Sequence, residues 1–349
     1  MRKKIFALLI FIALGFSLWA QAMQETKVKD ETLVFTDSLG RLITLPKEIE
    51  RIAPSGNVAQ LALYAIAPEK LVGWASRVSD DAMETFLEEV ASLPVFGAFY
   101  GSKANLNKEA LIVANPDVVI DIGEIKGDKE NMVKELDRLS KEINIPVVFI
   151  EGYLENTPEM FKTLGKLLGK EEQGETLAKF SKNALEKGKN NRDKINKSIY
   201  YSSSSDGLNA IQSGSFHEEV IRYIGAKNVV DQSYSGSNGS ISLEQIYLWD
   251  PDVIILSNEE AYKNAKTDKS WNELRAVKNN EIYLIPSSPY SFIDSPPATN
   301  RLIGIYWLGS VLAPDIYDDI DEKTKEYYSL FYHDDLTEDE IEDILNGRP

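Results

Sequence analysis

Short apolar runs alternate with amphipathic stretches along most of the chain, and this alternation predicts its secondary structure. Two apolar segments between residues 33 and 45 flank a polar turn at residues 37–40, which predicts a small hairpin. The strand and helix alternation that follows is typical of parallel sheets covered on both faces by helices, so the predicted class is α/β. Strands are predicted at residues 51–53, 71–73, 118–122, 147–150, 198–202, 253–256 and 281–285, and helices after residue 57 and at residues 81–90, 108–114, 129–143, 215–224, 241–249 and 298–312.

One segment of this pattern occurs twice, at an offset of 135 residues. Residues 109–120 read EALIVANPDVVI, and residues 244–255 read EQIYLWDPDVII. Each copy predicts about two helical turns that end before a proline, a turn at Pro-Asp, and a buried strand. The repeat favours two lobes over a chance recurrence in an α/β chain. Since packing does not require the glutamate that begins each copy, we expect Glu109 and Glu244 to be exposed and used.

A long helical pattern separates the two halves. Thr157 and Pro158 are a favourable helix start, and an apolar stripe continues to about residue 194. This stripe favours a rigid connecting helix over a solvated spacer. The predicted division is a signal peptide at 1–22, an N-terminal α/β lobe at 23–155, a connecting helix at 156–196, and a C-terminal α/β lobe with an acidic helical tail at 197–349. An aromatic cluster in that tail, residues 327–332, is expected to pack against the body.

The beginning of the chain predicts export. Arg2, Lys3 and Lys4 precede an uncharged, mostly apolar run at residues 5–19, and Ala20-Gln21-Ala22 fits signal peptidase. The apolar run is short for a spanning helix, so we expect no membrane anchor. The chain has no cysteine, which excludes disulfides, thiolate metal ligands and a lipidated cysteine. We therefore expect a periplasmic protein, with secretion into the medium as the alternative.

Charge and motif content narrow the function further. A formal net charge of −17 disfavours binding to nucleic acid or to an anionic membrane surface. The chain lacks the Gly-x-Ser-x-Gly, Gly-x-Gly-x-x-Gly and Walker motifs, and its two histidines are not spaced for a zinc site. No enzyme is predicted, and direct ligation of a metal is left open. Aromatic and arginine side chains in the loops that follow strands instead suit a pocket for a medium-sized, partly charged ligand.

Several motifs, in the order and spacing found here, resemble one family. These motifs are Asp37, Gly40, Arg41, Ile43, Leu45, Pro46, Arg51 and Ile52 at the start; the two Pro-Asp-Val strands; Glu244 and Gln245; and Pro296, Pro297, Asn300, Arg301, Leu302, Gly304, Trp307 and Leu308. Over nearly the whole mature chain, they are similar to the substrate-binding proteins of ABC importers for iron complexes, haem and cobalamin.

The resemblance implies a class III periplasmic binding protein: two Rossmann-like lobes with parallel-rich sheets, joined by a single long connecting helix. Such a receptor captures a small molecule between its lobes, here an iron complex such as a siderophore or haem. Molybdate or tungstate and cobalamin are the alternatives within the class, and a secreted hydrolase or an adhesion protein lies outside it. No cofactor is implied beyond the transported ligand.

The resemblance also gives roles to particular residues. Ligand-contacting candidates, chosen by loop position and chemistry, are Asn57, Trp74, Arg77, Tyr100, Tyr153, Ser215, His217, Tyr290 and Arg301. Tyr100 or His217 would ligate the iron of haem, and Arg77 or Arg301 would pair with carboxylates or an oxyanion. Glu109 and Glu244 match the acidic residues, one per lobe, that dock on arginines of the permease dimer. We expect a monomer with a small closure of the lobes, because the connecting helix is stiff.

Overall fold

The computed structural model describes residues 31–99, 104–125, 127–234 and 240–346. The predicted signal peptide and Tyr100 lie outside these residues. The described residues form three sheets: an antiparallel hairpin, a three-stranded parallel sheet and a four-stranded parallel sheet. Their strands are β1 Thr32–Thr36, β2 Leu42–Pro46, β3 Ile52–Pro54, β4 Val118–Gly123, β5 Val147–Glu151, β6 Ser198–Ser202, β7 Lys227–Asn228, β8 Val253–Leu256 and β9 Ile282–Leu284.

Helices cover both parallel sheets and connect their strands, which confirms the predicted α/β class. The α-helices of the described residues are Asn57–Ile66, Asp80–Met83, Glu88–Ala91, Lys108–Ala114, Lys129–Ile143, Thr157–Leu168, Glu171–Asn191, Glu219–Tyr223, Leu243–Trp249, Glu259–Thr267, Arg275–Lys278, Arg301–Leu312, Ile320–Phe331 and Glu338–Leu345. None of the helices in these parts of the chain combines the length and apolarity needed to cross a bilayer.

Two predicted elements are wrong. The segment at 71–73 is not a strand, because Leu71 makes only a single parallel bridge to Ile52. The segment at 81–90 is not one helix but divides into Asp80–Met83 and Glu88–Ala91. At the break, Phe86 lies in the core with its ring centroid 4.7 Å from that of Tyr64. A turn at this point lets the Phe86 side chain enter the core, which a continuous exposed helix would not.

The N-terminal lobe is built on the sheet β3-β4-β5, and the predicted hairpin packs beside it. The aspartate and arginine of the opening motif, Asp37 and Arg41, have a structural role. The Asp37 carboxylate pairs with Arg41 at 2.7 Å and accepts a hydrogen bond from the Phe149 amide at 3.2 Å. Arg41 also donates to the Val147 carbonyl at 2.8 Å. The motif therefore fastens the hairpin to β5.

The C-terminal lobe is built on the sheet β7-β6-β8-β9, in which every neighbouring pair is parallel. The strands of β3-β4-β5 are parallel as well. The carboxyl ends of the strands therefore meet at one edge in each lobe, which is where α/β sheets bind ligands.

The duplicated sequence folds into duplicated structure. In both copies a seven-residue helix, Lys108–Ala114 or Leu243–Trp249, ends at a residue with positive φ, 47° at Asn115 and 42° at Asp250. The aspartates of the two Pro-Asp turns also act alike. Asp117 accepts from the Glu50 and Arg51 amides at 2.9 Å, and Asp252 accepts from the Ser198 amide at 2.8 Å. Each aspartate thus anchors the start of the neighbouring strand, so the prediction of two equivalent units is confirmed.

The segment between the lobes is helical but divided. Thr157–Leu168 ends at Gly169, whose φ of 65° is readily adopted only by glycine, and Glu171–Asn191 follows. The two helices approach closely at Gly165 and Gly174: a Cβ atom on Gly174 would lie 3.0 Å from the Gly165 Cα. The connecting helix predicted at 156–196 is therefore two helices; the second, Glu171–Asn191, extends about 32 Å over its 21 residues and contacts helices of both lobes.

A second connection between the lobes comes from the tail. Helix Ile320–Phe331 packs against Asn57–Ile66 of the N-terminal lobe. The Tyr64 hydroxyl donates to the Tyr332 carbonyl at 2.9 Å. Tyr327, Tyr328, Phe331 and Tyr332 are all buried in a hydrophobic core that includes residues of both lobes. The prediction that the aromatic cluster packs against the body is confirmed, and the lobes share one core.

Candidate ligand-binding site

Arg301 is a buried cation of the C-terminal lobe that interacts electrostatically with carboxylates of both lobes. It begins helix Arg301–Leu312, its side chain is buried, and it forms an ion pair with Glu219 through Nη1. Its Nε donates to the Ala298 carbonyl at 3.3 Å. Burial lowers the pKa of Arg301, and the carboxylates of Glu219, Glu124, Glu155 and Asp294 oppose this effect. A single guanidinium therefore interacts electrostatically with four carboxylates, of which Glu219 is in direct contact with it.

The four carboxylates come from both lobes. Glu124 follows β4 and Glu155 follows β5, and both are exposed, whereas Glu219 and Asp294 are buried on the C-terminal side. Burial raises the pKa of Glu219; Arg301 opposes this effect, and Glu155 and Glu124 add to it. Carboxylates that follow the strands of the N-terminal sheet therefore act electrostatically on the Arg301 and Glu219 pair of the other lobe.

His217 lies beside this pair on the C-terminal lobe. Its Nδ1 is 2.9 Å from Oδ2 of Asp294, and its backbone amide donates to the Ser215 hydroxyl at 3.2 Å. The Phe216 ring contacts the imidazole at a centroid distance of 4.0 Å in a tilted arrangement, and Phe216 is 50% exposed. Burial, reinforced by Asp294, raises the pKa of the Tyr201 hydroxyl, so that tyrosine stays protonated. The group offers a ligand an exposed aromatic surface next to an anion.

Tyr290 links the lobes at another point of the same boundary. The amide of the buried Gln60 donates to the Tyr290 hydroxyl at 3.5 Å, and its carbonyl accepts from the amides of Ala75 and Ser76 at 2.9 and 3.0 Å. Burial raises the pKa of Tyr290 to about 12. Gln60 therefore forms hydrogen bonds both with the loop at Ala75 and Ser76 in its own lobe and with Tyr290 in the other lobe.

The sequence-based candidates are only partly brought together. Ser215, His217, Tyr290 and Arg301 lie at the boundary of the lobes, with Tyr153 half-buried after β5 and Asn57 exposed after β3. The side chain of Arg77 is 77% exposed and pairs with Asp80 at 3.0 Å.

Trp74 needs correction, because it is a core residue. Its indole is 1% exposed, donates to the Val90 carbonyl at 2.9 Å, and packs against the rings of Tyr64 and Phe86. It therefore offers no surface to a ligand. The loop position of Trp74 suggested a binding role, whereas the chain turns it inward.

Sequence reasoning missed several groups of this site, namely Gln60, Glu124, Glu155, Phe216, Glu219 and Asp294. Glu219 follows Glu218 and stands three residues before Arg222, so its burial was not apparent from the sequence. The other groups look like ordinary loop or surface residues until the lobes meet.

A cavity of about 660 Å³ lies between residues 79–85 of the N-terminal lobe, the segments after β8 and β9, and the tail. Its charged lining residues are all acidic: Glu84, Glu259, Asp334, Glu340 and Asp343. In this cavity Tyr328 is committed to a hydrogen bond with the Ser288 carbonyl. Within the described residues, no group of three or more His, Cys, Asp or Glu side chains is arranged to hold a metal ion.

Comparison with known proteins identifies the family and the fold. A family model described as periplasmic binding protein matches residues 70–289, more than half of the chain. The chain belongs to this family. A solved ABC transporter solute binding protein from Sulfurospirillum deleyianum is 32% identical to this periplasmic binding protein, with a TM-score of 0.80 and coverage of 89% of this chain and 98% of that one.

Two curated relatives are more distant. The Fe(3+)-citrate-binding protein YfmC of Bacillus subtilis is 26% identical over 214 residues, which cover 59% of this chain and 65% of the relative. The Vitamin B12-binding protein of Vibrio parahaemolyticus is 24% identical over 269 residues, which cover 75% and 90%. Both are named for binding rather than for catalysis. The family match and the ABC transporter solute binding protein of Sulfurospirillum deleyianum support a binding protein of an ABC transporter, and the two-lobed fold confirms the predicted fold class.

Proposed function

We propose that the protein captures an iron complex between its lobes outside the cytoplasmic membrane and delivers it to the permease of an ABC importer. The family match and the likeness to an Fe(3+)-citrate-binding protein support this assignment. The carboxyl ends of the strands in both sheets, with the polar groups around Arg301, form the proposed binding surface. Signal-peptide cleavage at residue 22 and a periplasmic location remain predictions, as does the monomeric state.

The charge of the cleft is the observation that defines the ligand most closely. Arg301 is paired with Glu219, and the carboxylates of Glu124, Glu155 and Asp294 leave the surroundings negative. A negative cleft repels anions and attracts cations. The proposed ligand is therefore a neutral or cationic ferric siderophore, such as a ferric hydroxamate. Haem, with its two carboxylates, and the oxyanions molybdate and tungstate fit less well.

The organic part of such a ligand needs an apolar surface. The exposed Phe216 ring, in contact with His217, provides one side, and the half-buried Tyr153 after β5 provides the other. We place His217 at the edge of the ligand, with its imidazole oriented by Asp294. This arrangement recognises the outer surface of a complex and does not require a protein side chain to ligate the iron.

A ligand panel tests this proposal. We expect ferrichrome or ferrioxamine B, at about a hundred times its dissociation constant, to stabilise the protein by about 2.7 kcal/mol, measured by thermal unfolding. Haemin, molybdate and tungstate are expected to give smaller shifts, and the iron-free siderophores are the matched controls. A shift with molybdate alone would contradict the proposal. A shift with cyanocobalamin alone would transfer it to the ligand of the Vibrio relative.

The role of charge has its own test. In the double variant Glu124→Gln/Glu155→Gln we expect about fivefold weaker binding of the cationic ferrioxamine B and little change for the neutral ferrichrome, because two nearby anions are removed. Glu130→Gln, an exposed change on helix Lys129–Ile143, is the control. Isothermal titration of both ligands gives the ratio of affinities. An equal loss for both ligands would show that the two carboxylates do not select by charge.

Delivery is proposed to use Glu109 and Glu244. Both are exposed in the first turn of the duplicated helices, at corresponding positions of the repeat. Hydrogen bonds at the helix start lower the pKa of Glu244, which keeps this carboxylate ionised. Each carboxylate is proposed to bind an arginine on one subunit of the permease dimer.

A further inference from the structure

The duplicated helices share a second exposed feature besides the glutamate. Val113 follows Glu109 by four residues, and Leu248 follows Glu244 by four residues. Their side chains are 84% and 79% exposed. The buried faces of the same helices are held by Leu111 and Ile246, each 0% exposed. Each lobe therefore presents a carboxylate and an aliphatic side chain on the outward face of one short helix.

Single exposed aliphatic residues are common and need no explanation. Val113 and Leu248 differ from such residues in the extent of their exposure and in their matching positions in the repeat. Among the described residues, they are the most exposed of the large hydrophobic side chains; the other exposed ones are Val34, Leu42, Val95, Ile112 and Phe216. They also occupy equivalent positions in the 135-residue repeat. Equivalent exposure in both lobes is expected if both lobes meet the same kind of surface.

The spacing places both features within one contact. Residues four apart on a helix lie on the same face, with Cβ atoms about 5–6 Å apart. We infer that each lobe docks on the permease through two adjacent groups, the glutamate and the aliphatic side chain one turn beyond it. The partner surface is then a cation beside an apolar depression, present once on each of two identical membrane subunits. This inference rests on the proposed function and extends it.

The two groups contribute differently to docking. An exposed carboxylate accelerates and orients the encounter with a cationic surface, and this contribution weakens with salt. An aliphatic side chain contributes only after contact, through removal of its apolar area from water, and this contribution changes little with salt. Together they explain why a charge and a hydrophobic residue recur at the same spacing in both lobes.

The experiment uses the purified protein and proteoliposomes that carry the permease and ATPase complex of the source organism. Binding is measured at low and high salt for wild type, for Glu109→Gln/Glu244→Gln, and for Val113→Thr/Leu248→Gln. The control is Val34→Thr/Leu42→Gln, because these side chains are 63% and 74% exposed on the hairpin, away from the repeat. All four proteins are expected to share one unfolding temperature and one affinity for the transported ligand.

For Val113→Thr/Leu248→Gln we expect binding about a hundredfold weaker, about tenfold for each aliphatic side chain lost, with the salt dependence unchanged. The glutamine pair is expected to lose affinity mainly at low salt. Binding within twofold of wild type in the apolar variant, with loss in the glutamine pair, would overturn this inference and leave the proposed function intact. Absence of binding by the wild type would overturn the delivery step of the proposed function, and this inference with it.

Discussion

Replacement of Arg301 by methionine is expected to lower the free energy of unfolding by about 3–5 kcal/mol at neutral pH. The guanidinium is buried and paired with the buried carboxylate of Glu219. Without Arg301, Glu219 keeps a desolvated charge, and the charges of Glu124, Glu155 and Asp294 lose the cation that compensates them. Urea denaturation followed by tryptophan fluorescence measures the change, since the midpoint and slope give the free energy of unfolding.

Two control variants distinguish the cost of leaving Glu219 without its partner from the cost of losing the packing of the Arg301 side chain. The double variant Glu219→Leu/Arg301→Met removes both charges, so we expect it to cost much less than the single variant, about 1 kcal/mol. Arg77→Met, at an exposed ion pair with Asp80, is expected to change stability by less than about 0.5 kcal/mol. An equal loss in the single and double variants would show that packing of Arg301, rather than its charge, stabilises the boundary.

The same pair predicts the direction of a pH effect. Burial raises the pKa of Glu219 even with Arg301 present. Removal of Arg301 raises it further above the unfolded-state value, so the folded protein binds the proton more tightly than the unfolded chain does. Stability of Arg301→Met relative to wild type should therefore recover as the pH falls through the folded-state pKa of Glu219.

Much of the fold could be predicted because local signals and the repeat agree. Helices Lys108–Ala114 and Lys129–Ile143 have the predicted bounds, since Asn107 and Asp128 cap their starts and Asn115 and Asn144, with positive φ, end them. These signals lie within a few residues of the elements that they define. The two Pro-Asp strands could be predicted for the same reason.

The break at Gly169 shows where local signals stop being sufficient. The helical stretch contains Gly165, Gly169 and Gly174, and any of them suits a break. Only the packed structure distinguishes them. Gly165 and Gly174 allow two helices to approach, whereas Gly169 has the positive φ that ends the first helix. The sequence shows three glycines, and the choice among them depends on a contact between helices.

The site was harder to predict because its partners are distant in sequence. Arg301 pairs with Glu219, 82 residues away, and Gln60 contacts Tyr290 across 230 residues. Loop position and side-chain chemistry placed Arg301, His217 and Tyr290 near one boundary. They could not show that Arg301 is already neutralised by a carboxylate of its own lobe. The sign of charge in the cleft, and hence the proposed ligand class, therefore came from the structure alone.

Replacement of Trp74 by alanine is expected to lower the free energy of unfolding by about 3–5 kcal/mol. The indole fills a core position between Tyr64 and Phe86, and its N–H donates to the Val90 carbonyl at 2.9 Å. Because the tail also holds the surrounding rings in place, alanine leaves a cavity. The buried Val90 carbonyl also loses its hydrogen-bond donor. Chemical denaturation measures the loss, and titration of the siderophore measures ligand affinity in the folded variant.

Because Trp74 offers no surface to the cleft, affinity for the ligand is expected to stay within about twofold of wild type, below the effect of losing one weak contact. If the alanine variant does not fold, Trp74→Phe retains most of the ring and loses only the hydrogen bond, so the same comparison can be made. A large loss of affinity with unchanged stability would return Trp74 to the binding surface. The expected result is a large loss of stability with affinity retained. It would assign Trp74 to the core rather than to the binding surface, a distinction that its position after a strand-like segment cannot make.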